Sequence, residues 1–302
     1  MQALWMILAS LLFATMGVGI KVASTSFNVA ELVFYRGVVS ILFTAAVMRT
    51  RGTSLRTPVP AMHAWRTFVG TVSMGAWFYG IAFLPLATAM TLNYMSGVWI
   101  AAFLVGGSLV GANASSQSGS ARRQGPLVLT VLAAFVGVVM LLRPTIEQNQ
   151  LFAGLIGLLS GVGAALAYLQ VTALARVGEP ATRVVFYFAV GTALGGVAGI
   201  GYLGFTPWAN ISLAAALWII PIGLLASVGQ WCMTRAYSQG PTLVAANLQY
   251  SGIVFAAMYG LVLFGDVIPP IGWAGMALIV ASGIAATMLT QRALSDNHEE
   301  QR

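Results

Sequence analysis

Residues 29–48 read VAELVFYRGVVSILFTAAVM, an apolar run interrupted by one glutamate and one arginine. As a helix rising 1.5 Å per residue, such a run reaches about 30 Å, the thickness of a bilayer's hydrocarbon core. Nine more apolar runs accompany it, at roughly 3–23, 65–84, 86–111, 126–142, 151–174, 183–204, 211–234, 242–264 and 268–290, separated by turn-rich or charged breaks. The chain is 59% apolar and 7% charged, against about 25% charged residues in a soluble domain. Strict alternation of apolar and polar residues is absent, so helices rather than a barrel must satisfy the backbone inside lipid. The expected fold is an all-α membrane protein with ten transmembrane helices.

The first run, 3–23, is read as a span because MQALWM lacks the basic segment of a secretory signal. A net charge of +7 raises the question of a nucleic-acid partner, but the placement of the charge argues against one. Arg49, Arg51, Arg56, Arg66, Arg122, Arg123, Arg176, Arg183, Arg235 and Arg292 flank even-numbered loops or follow the last span, whereas Lys21 and Arg143 lie beside odd-numbered ones. Cytoplasmic loops carry the Lys/Arg excess. These residues are therefore read as topology signals that put both termini in the cytoplasm. The single cysteine, Cys232, excludes an intramolecular disulfide.

Four matches relate the two halves of the chain. VFY at 33–35 returns at 185–187, GAWFYGIAF at 75–83 aligns with GQWCMTRAY at 229–237, NYMSG at 93–97 with LQYSG at 248–252, and AAFVGVV at 133–139 with IVASGIA at 279–285. They occur in order, with offsets of 152, 154, 155 and 146. The expected organisation is a first five-helix repeat over 1–145, a second over 146–292 and a polar cytoplasmic tail over 293–302. An odd number of spans per copy makes the repeats inverted. Inverted repeats place a substrate site near the membrane midplane and permit alternating access.

Polar groups in hydrocarbon must face the bundle interior or a wet cavity. Span 4 carries Asn93, Tyr94 and Ser96, and span 9 carries Asn247, Gln249, Tyr250 and Ser251, each set near the middle of its run. Spacings of three and four residues turn each set into a stripe on one helix face. Trp77 and Tyr79 on span 3, Tyr168 and Gln170 on span 6, and Gln230 and Trp231 on span 8 are the remaining candidates for a cavity wall. The same side chains also serve simply to link helices. Such a cavity suits a small, partly apolar zwitterion. Gly97, Gly240 and Gly252 adjoin the stripes or a span junction and are hinge candidates, whereas Gly191, Gly195 and Gly199, like Gly157 with Gly161, have the spacing of packing faces.

The stretch AYSQGPTLVAANLQYSGIVFAAMYGLVLFGDVIPPIGWAGMALIVASGI, 236–284, together with NY at 93–94 and AY at 167–168, resembles the drug/metabolite transporter superfamily. Within it the chain is most similar to EamA-type exporters, in particular the bacterial aromatic amino-acid exporters of the YddG type. The resemblance covers essentially the whole chain. It implies multi-pass residence in a bacterial inner membrane and export of small metabolites, amino acids foremost, by a monomer or weak homodimer. Nucleotide-sugar, sugar-phosphate or drug transport within the same superfamily is the alternative, as is a passive channel.

No cofactor or metal is expected, since the chain has no HExxH, no GxSxG, no phosphate-binding loop and no paired intramembrane aspartates. Both histidines, His63 and His298, fall in cytoplasmic segments, so an intramembrane enzyme is not supported. Glu31 is the one acid inside a span and lies near its outer end, where it is expected to pair with Lys21. With no other acid available for a proton relay, export is expected to be facilitated or weakly coupled. Arg36 lies about ten residues from the tip of the first hairpin, near mid-bilayer, and aligns with Phe188 in the second copy. It is either a lock onto the carbonyls of span 1 or a charge contributed to the cavity by one half only.

Overall fold

A computed structural model describes residues 2–111, 126, 129–130, 132–141, 150–239 and 242–299. Every regular element among them is helical. The order is α1 (Gln2–Ala23), α2 (Val29–Thr50), α3 (Pro60–Phe83), α4 (Leu86–Tyr94), α5 (Ser96–Gly111), α6 (Leu132–Leu141), α7 (Leu151–Arg176), α8 (Ala181–Leu203), α9 (Leu213–Ser238), α10 (Thr242–Gln249), α11 (Ser251–Tyr259) and α12 (Pro270–Glu299). Among the described residues, seven stretches are long and apolar enough to cross a membrane, counting α4 with the start of α5 and α10 with α11 as one stretch each. α6 and the first part of α12 are shorter apolar helices. α3 is 24 residues long but dilutes its apolar content with His63 and Arg66.

The outward faces of these helices carry a band of exposed large apolar side chains, among them Leu42, Phe68, Val72, Phe152, Leu159, Leu194, Leu217 and Val254. Water does not tolerate such a continuous apolar belt, and lipid does. The multi-pass membrane setting follows from this belt and from the seven spans.

Inside the bundle α1 packs on α9, α3 on α7 and α2 on α8, and these are the most extensive interfaces. α2 also meets α9 and α8 meets α3, while α10 and α11 lie on α1, and α4 and α5 lie on α7. The α2–α8 crossing is close because both helices present glycine. A Cβ on Gly37 would stand 2.5 Å from the backbone nitrogen of Ala193, and one on Gly196 would stand 2.6 Å from the backbone of Phe34. Small residues allow such backbone-to-backbone approach. The glycines of α7 do the same work, since Gly161 faces the carbonyl oxygen of Leu92 on α4.

Two helices are interrupted mid-path. α4 gives way to α5 at Met95, and α10 gives way to α11 at Tyr250. At the far end of α11 the chain tightens into a π-helical turn, Gly260–Phe264, and stops at Gly265, whose φ of +62° is left-handed and suits glycine.

The expected pairing of Lys21 with Glu31 does not occur. Glu31 lies at the third position of α2, where it accepts the Asn28 N–H at 2.9 Å in a capping box and also takes the Thr206 N–H and hydroxyl, each at 2.7 Å. Lys21 points away, onto both Asp266 carboxylate oxygens at 3.0 and 3.1 Å and the Leu84 carbonyl at 3.2 Å. Similar depth along the hairpin suggests a pair, but the two helices turn these side chains to different neighbours.

Candidate functional site

A cavity of about 40 Å³ lies among α1, α2, α3, α4, α7, α8 and α9. Its floor is aromatic. Phe13 meets Trp77 edge-on, with ring centroids 6.2 Å apart, and Tyr168 stacks on Tyr237 at 5.0 Å. Its polar wall is layered. The amide of Asn93 donates to the Ser160 hydroxyl at 3.0 Å, Ser160 donates to the Gly157 carbonyl, and Ser73 donates to the Ser160 carbonyl at 2.8 Å. Gln249 sits behind Tyr168, giving an N–H to its hydroxyl at 3.1 Å and accepting from the Tyr237 hydroxyl at 3.2 Å. These bonds hold the aromatic and amide groups in fixed orientations around the space.

Two guanidinium groups enter this cavity. Arg36 from α2 and Arg66 from α3 are each only 2% exposed. Both lie over the Phe188 ring of α8, Arg66 at 3.7 Å from the centroid and Arg36 at 5.2 Å. Gly70, one turn on, leaves room for Arg66 there, since a Cβ at that position would stand 2.6 Å from its Nη1. Arg66 Nη2 donates a long bond, 3.4 Å, to Gln230 Oε1, while Nε and Nη1 of both arginines have no hydrogen-bond partner among the described residues. Trp77 Nε1 and the Tyr94 hydroxyl are likewise buried without one. The cavity therefore holds more donors than acceptors.

The structure brings Trp77, Asn93, Tyr94, Tyr168 and Gln230 together around this space. Tyr79 is elsewhere, packed on Phe83 and Phe152, and Trp231 stacks edge-on against Trp5 under the guanidinium groups of Arg51 and Arg235. The reason is helical geometry: neighbours in sequence are about 100° apart around a helix, so Gln230 facing inward turns Trp231 away, and Trp77 does the same to Tyr79. Ser96 is fully buried beside the Met95 break with its hydroxyl unpaired, and Ser251 bonds back to the Leu248 carbonyl at 2.8 Å. Asn247 is half-buried on α10. Tyr250 is buried with its hydroxyl against Gly97, and Tyr94 lies against Gly252. Gly240, the third hinge candidate, falls outside the described residues.

Arg66, Ser73 and Ser160 are not among the expected site residues. Arg66 looked like a loop charge because the hydropathy run starts at 65, but α3 starts at Pro60, a residue suited to the first turn of a helix, and carries Arg66 about 9 Å inward. The Arg66-to-Gly70 spacing was the available signal.

A second cluster occupies the end of the bundle near the α2–α3 loop. Glu179 accepts from the Thr57 hydroxyl at 2.7 Å and from Arg183 Nη1 at 3.0 Å, and His63 Nε2 stands 3.2 Å away in a contact without hydrogen-bond alignment. Burial raises the Glu179 pKa, but the Thr57, Arg183 and His63 contacts outweigh it and leave the carboxyl below its usual range. Burial lowers the His63 pKa, and Glu179 only partly opposes this.

No family model matches the chain. Over 286 residues it is 29% identical to a pseudopaline exporter of Pseudomonas aeruginosa, covering 92% of this chain and 93% of that protein. It is 27% identical to an uncharacterized transporter of Helicobacter pylori over 286 residues, covering 92% and 91%. A riboflavin transporter of Vibrio cholerae is 25% identical over 299 residues, covering 93% and 90%. A protein crystal structure with 18% sequence identity superposes at a TM-score of 0.64 across 96% of this chain and 98% of the other, which is a likeness of fold. The sequence likenesses run nearly end to end, so the chain aligns as a whole with proteins named as transporters.

Proposed function

We propose that this chain is a multi-pass exporter of small metabolites, built from two inverted five-helix repeats and working by alternating access around the Trp77–Tyr168 cavity. The observation that carries this is the buried, donor-rich cavity at the junction of the two halves, in a chain similar over its full length to named transporters. With α3 and the two shorter apolar helices, the seven long spans make up the ten of this architecture.

The pattern of helix contacts supports the inverted repeat. Exchanging α1 with α7, α2 with α8, α3 with α9 and the α4–α5 pair with α10–α11 turns the α1–α9 interface into α3–α7 and α2–α9 into α3–α8, and carries α2–α8 onto itself. The interruptions at Met95 and Tyr250 occupy matching positions of NYMSG and LQYSG. On this reading the chain is of the EamA type, lies in a bacterial inner membrane with both termini in the cytoplasm, and moves amino acids or metabolites built from them. Asn93, Tyr94, Trp77, Tyr168 and Gln230 form the substrate wall, while Ser96, Asn247, Tyr250 and Ser251 line the approach beside the Gly97 and Gly252 hinges.

A carrier is favoured over a channel because the cavity, about 40 Å³, is far smaller than the roughly 300 Å³ or more of a site that encloses a small-molecule ligand. Passage of a metabolite requires the halves to part. Glu31 is saturated by Asn28 and Thr206, which fits facilitated or weakly coupled export rather than a proton relay through that residue. Counterflow in proteoliposomes tests the proposal with a panel of labelled amino acids, nucleotide sugars and riboflavin. Saturable flux accelerated by unlabelled solute on the opposite side is expected. Unsaturable flux that ignores solute on the opposite side means a channel and overturns it.

A further inference from the structure

The cavity just described has an unbalanced charge, and this bears on what it carries. Among the acids whose side chains the structure describes, Glu31 is bonded to Asn28 and Thr206, Glu179 to Thr57 and Arg183, and Asp266 to Lys21 and the Leu86 N–H. None faces Arg36 or Arg66. Two guanidinium groups thus share one apolar ring in a site nearly closed to solvent. A buried charge without a partner costs several kcal/mol, and a protein retains it only when something else compensates. The aromatic face of Phe188 compensates in part, but it supplies no acceptor for the unpaired N–H groups.

We infer that the cavity takes a small metabolite bearing two oxyanion charges, whose carboxylate or phosphate oxygens bind Arg36 and Arg66 while its remainder rests on Trp77 and Tyr168. This deepens the transport proposal and rests on it. A guanidinium presents a planar fork of donors that matches such oxygens two at a time. Trp77 Nε1 and the Tyr94 hydroxyl add donors to the same space. A zwitterion with one carboxylate would leave one guanidinium uncompensated and would bring an ammonium to a wall without a carboxylate. The occupant therefore carries more negative than positive charge.

The test is thermal unfolding of the purified full chain in detergent, at constant ionic strength, with glutarate, glycerol 3-phosphate, phenylalanine or lysine added. Glutarate or glycerol 3-phosphate is expected to raise the midpoint, and which of the two does so separates carboxylate from phosphate; phenylalanine and lysine leave it unchanged. Arg36→Met and Arg66→Met should each weaken the effective anion by at least about tenfold. Without ligand both variants should unfold at or above the wild-type midpoint, because an uncompensated buried charge has been removed. A ligand-free midpoint well below wild type marks the arginines as structural locks and overturns the inference, as does an anion effect that survives in both variants. Should a variant fail to fold, competition in wild-type counterflow decides, with excess dianion expected to inhibit and inhibition by phenylalanine alone counting against it. Phenylalanine counterflow that is undiminished in Arg36→Met sinks the dianion inference and leaves transport standing. Absence of counterflow with every solute sinks the transport proposal itself.

Discussion

The ring of Tyr94 lies on Gly252, where an added Cβ would come within 2.7 Å of its Cε2 and hydroxyl oxygen. The relation is reciprocated: the Tyr250 hydroxyl lies 2.9 Å from where a Cβ on Gly97 would be. Each interrupted helix thus inserts a tyrosine against a glycine just past the interruption in the other. Gly252→Ala should push Tyr94 toward the cavity it already lines. Because the far end of a side chain yields more easily than backbone, the destabilisation should stay below about 3 kcal/mol. The counterflow rate should fall by about tenfold or more while expression and the unfolding midpoint change little. Wild-type rates in Gly252→Ala would show that this contact does not have to move.

Asp266 ties three segments together: it takes Lys21 at the end of α1 and the N–H of Leu86 at the start of α4, and it follows the left-handed Gly265. Lys21→Met removes the counter-charge but leaves the carboxylate on Leu86. Both side chains retain some solvent contact, so the cost should be about 1–3 kcal/mol, that of one charged hydrogen bond. This end of the cavity should then open more often. A cysteine introduced at Thr88, with Cys232 replaced, should react faster with an impermeant maleimide in Lys21→Met than in the parent.

The His63–Glu179 cluster predicts loss of stability in acid. Burial holds His63 below its ordinary value of 6.5, so the fold prefers the neutral ring, and that preference is lost as pH falls below 6.5. Glu179 is also depressed, from 4.5, and its contribution is present above that value and lost as pH falls below it. Both effects have the same sign. The unfolding midpoint should decline from pH 7.5 to 5, and His63→Phe, which preserves the ring against Tyr187 at 4.6 Å, should flatten the curve between pH 7 and 5. An unchanged slope in that variant would remove His63 from the explanation.

Glu31→Gln separates structure from coupling. The carboxylate accepts three hydrogen bonds, and an amide in its place turns two donors toward donors. Stability should fall by about 1–3 kcal/mol. Counterflow by the protein that remains folded should persist with the wild-type pH profile. Loss of transport in folded Glu31→Gln would mean that this residue carries protons.

Much of the fold was readable because hydropathy in lipid is nearly a one-term problem: 29–48 and 151–174 lie within α2 and α7, and 183–204 passes the end of α8 by a single residue. The polar stripe on span 4 was readable for the same reason, as Asn93 and Tyr94 had to face protein. What failed was direction around a helix. Trp231 and Tyr79 were attractive by residue type, and a turn of 100° or 200° sent them elsewhere. Arg66 was missed because the hydropathy run begins only at 65 and leaves it at the very edge of the span, whereas α3 starts at Pro60 and carries it more than a turn inward. The Lys21–Asp266 contact joins residues 245 apart in sequence, and no local pattern announces it.

The shared seat of Arg36 and Arg66 on Phe188 also has an electrical consequence. Each elementary charge moved through a full 100 mV of membrane potential is worth about 2.3 kcal/mol. If the halves rock about the α2–α8 crossing, the empty molecule shifts two unneutralised positive charges through part of that field. A bound dianion cancels them. Voltage would then act on the return of the vacant carrier and leave the loaded step indifferent, so the membrane potential sets the pace of the cycle without a coupling ion.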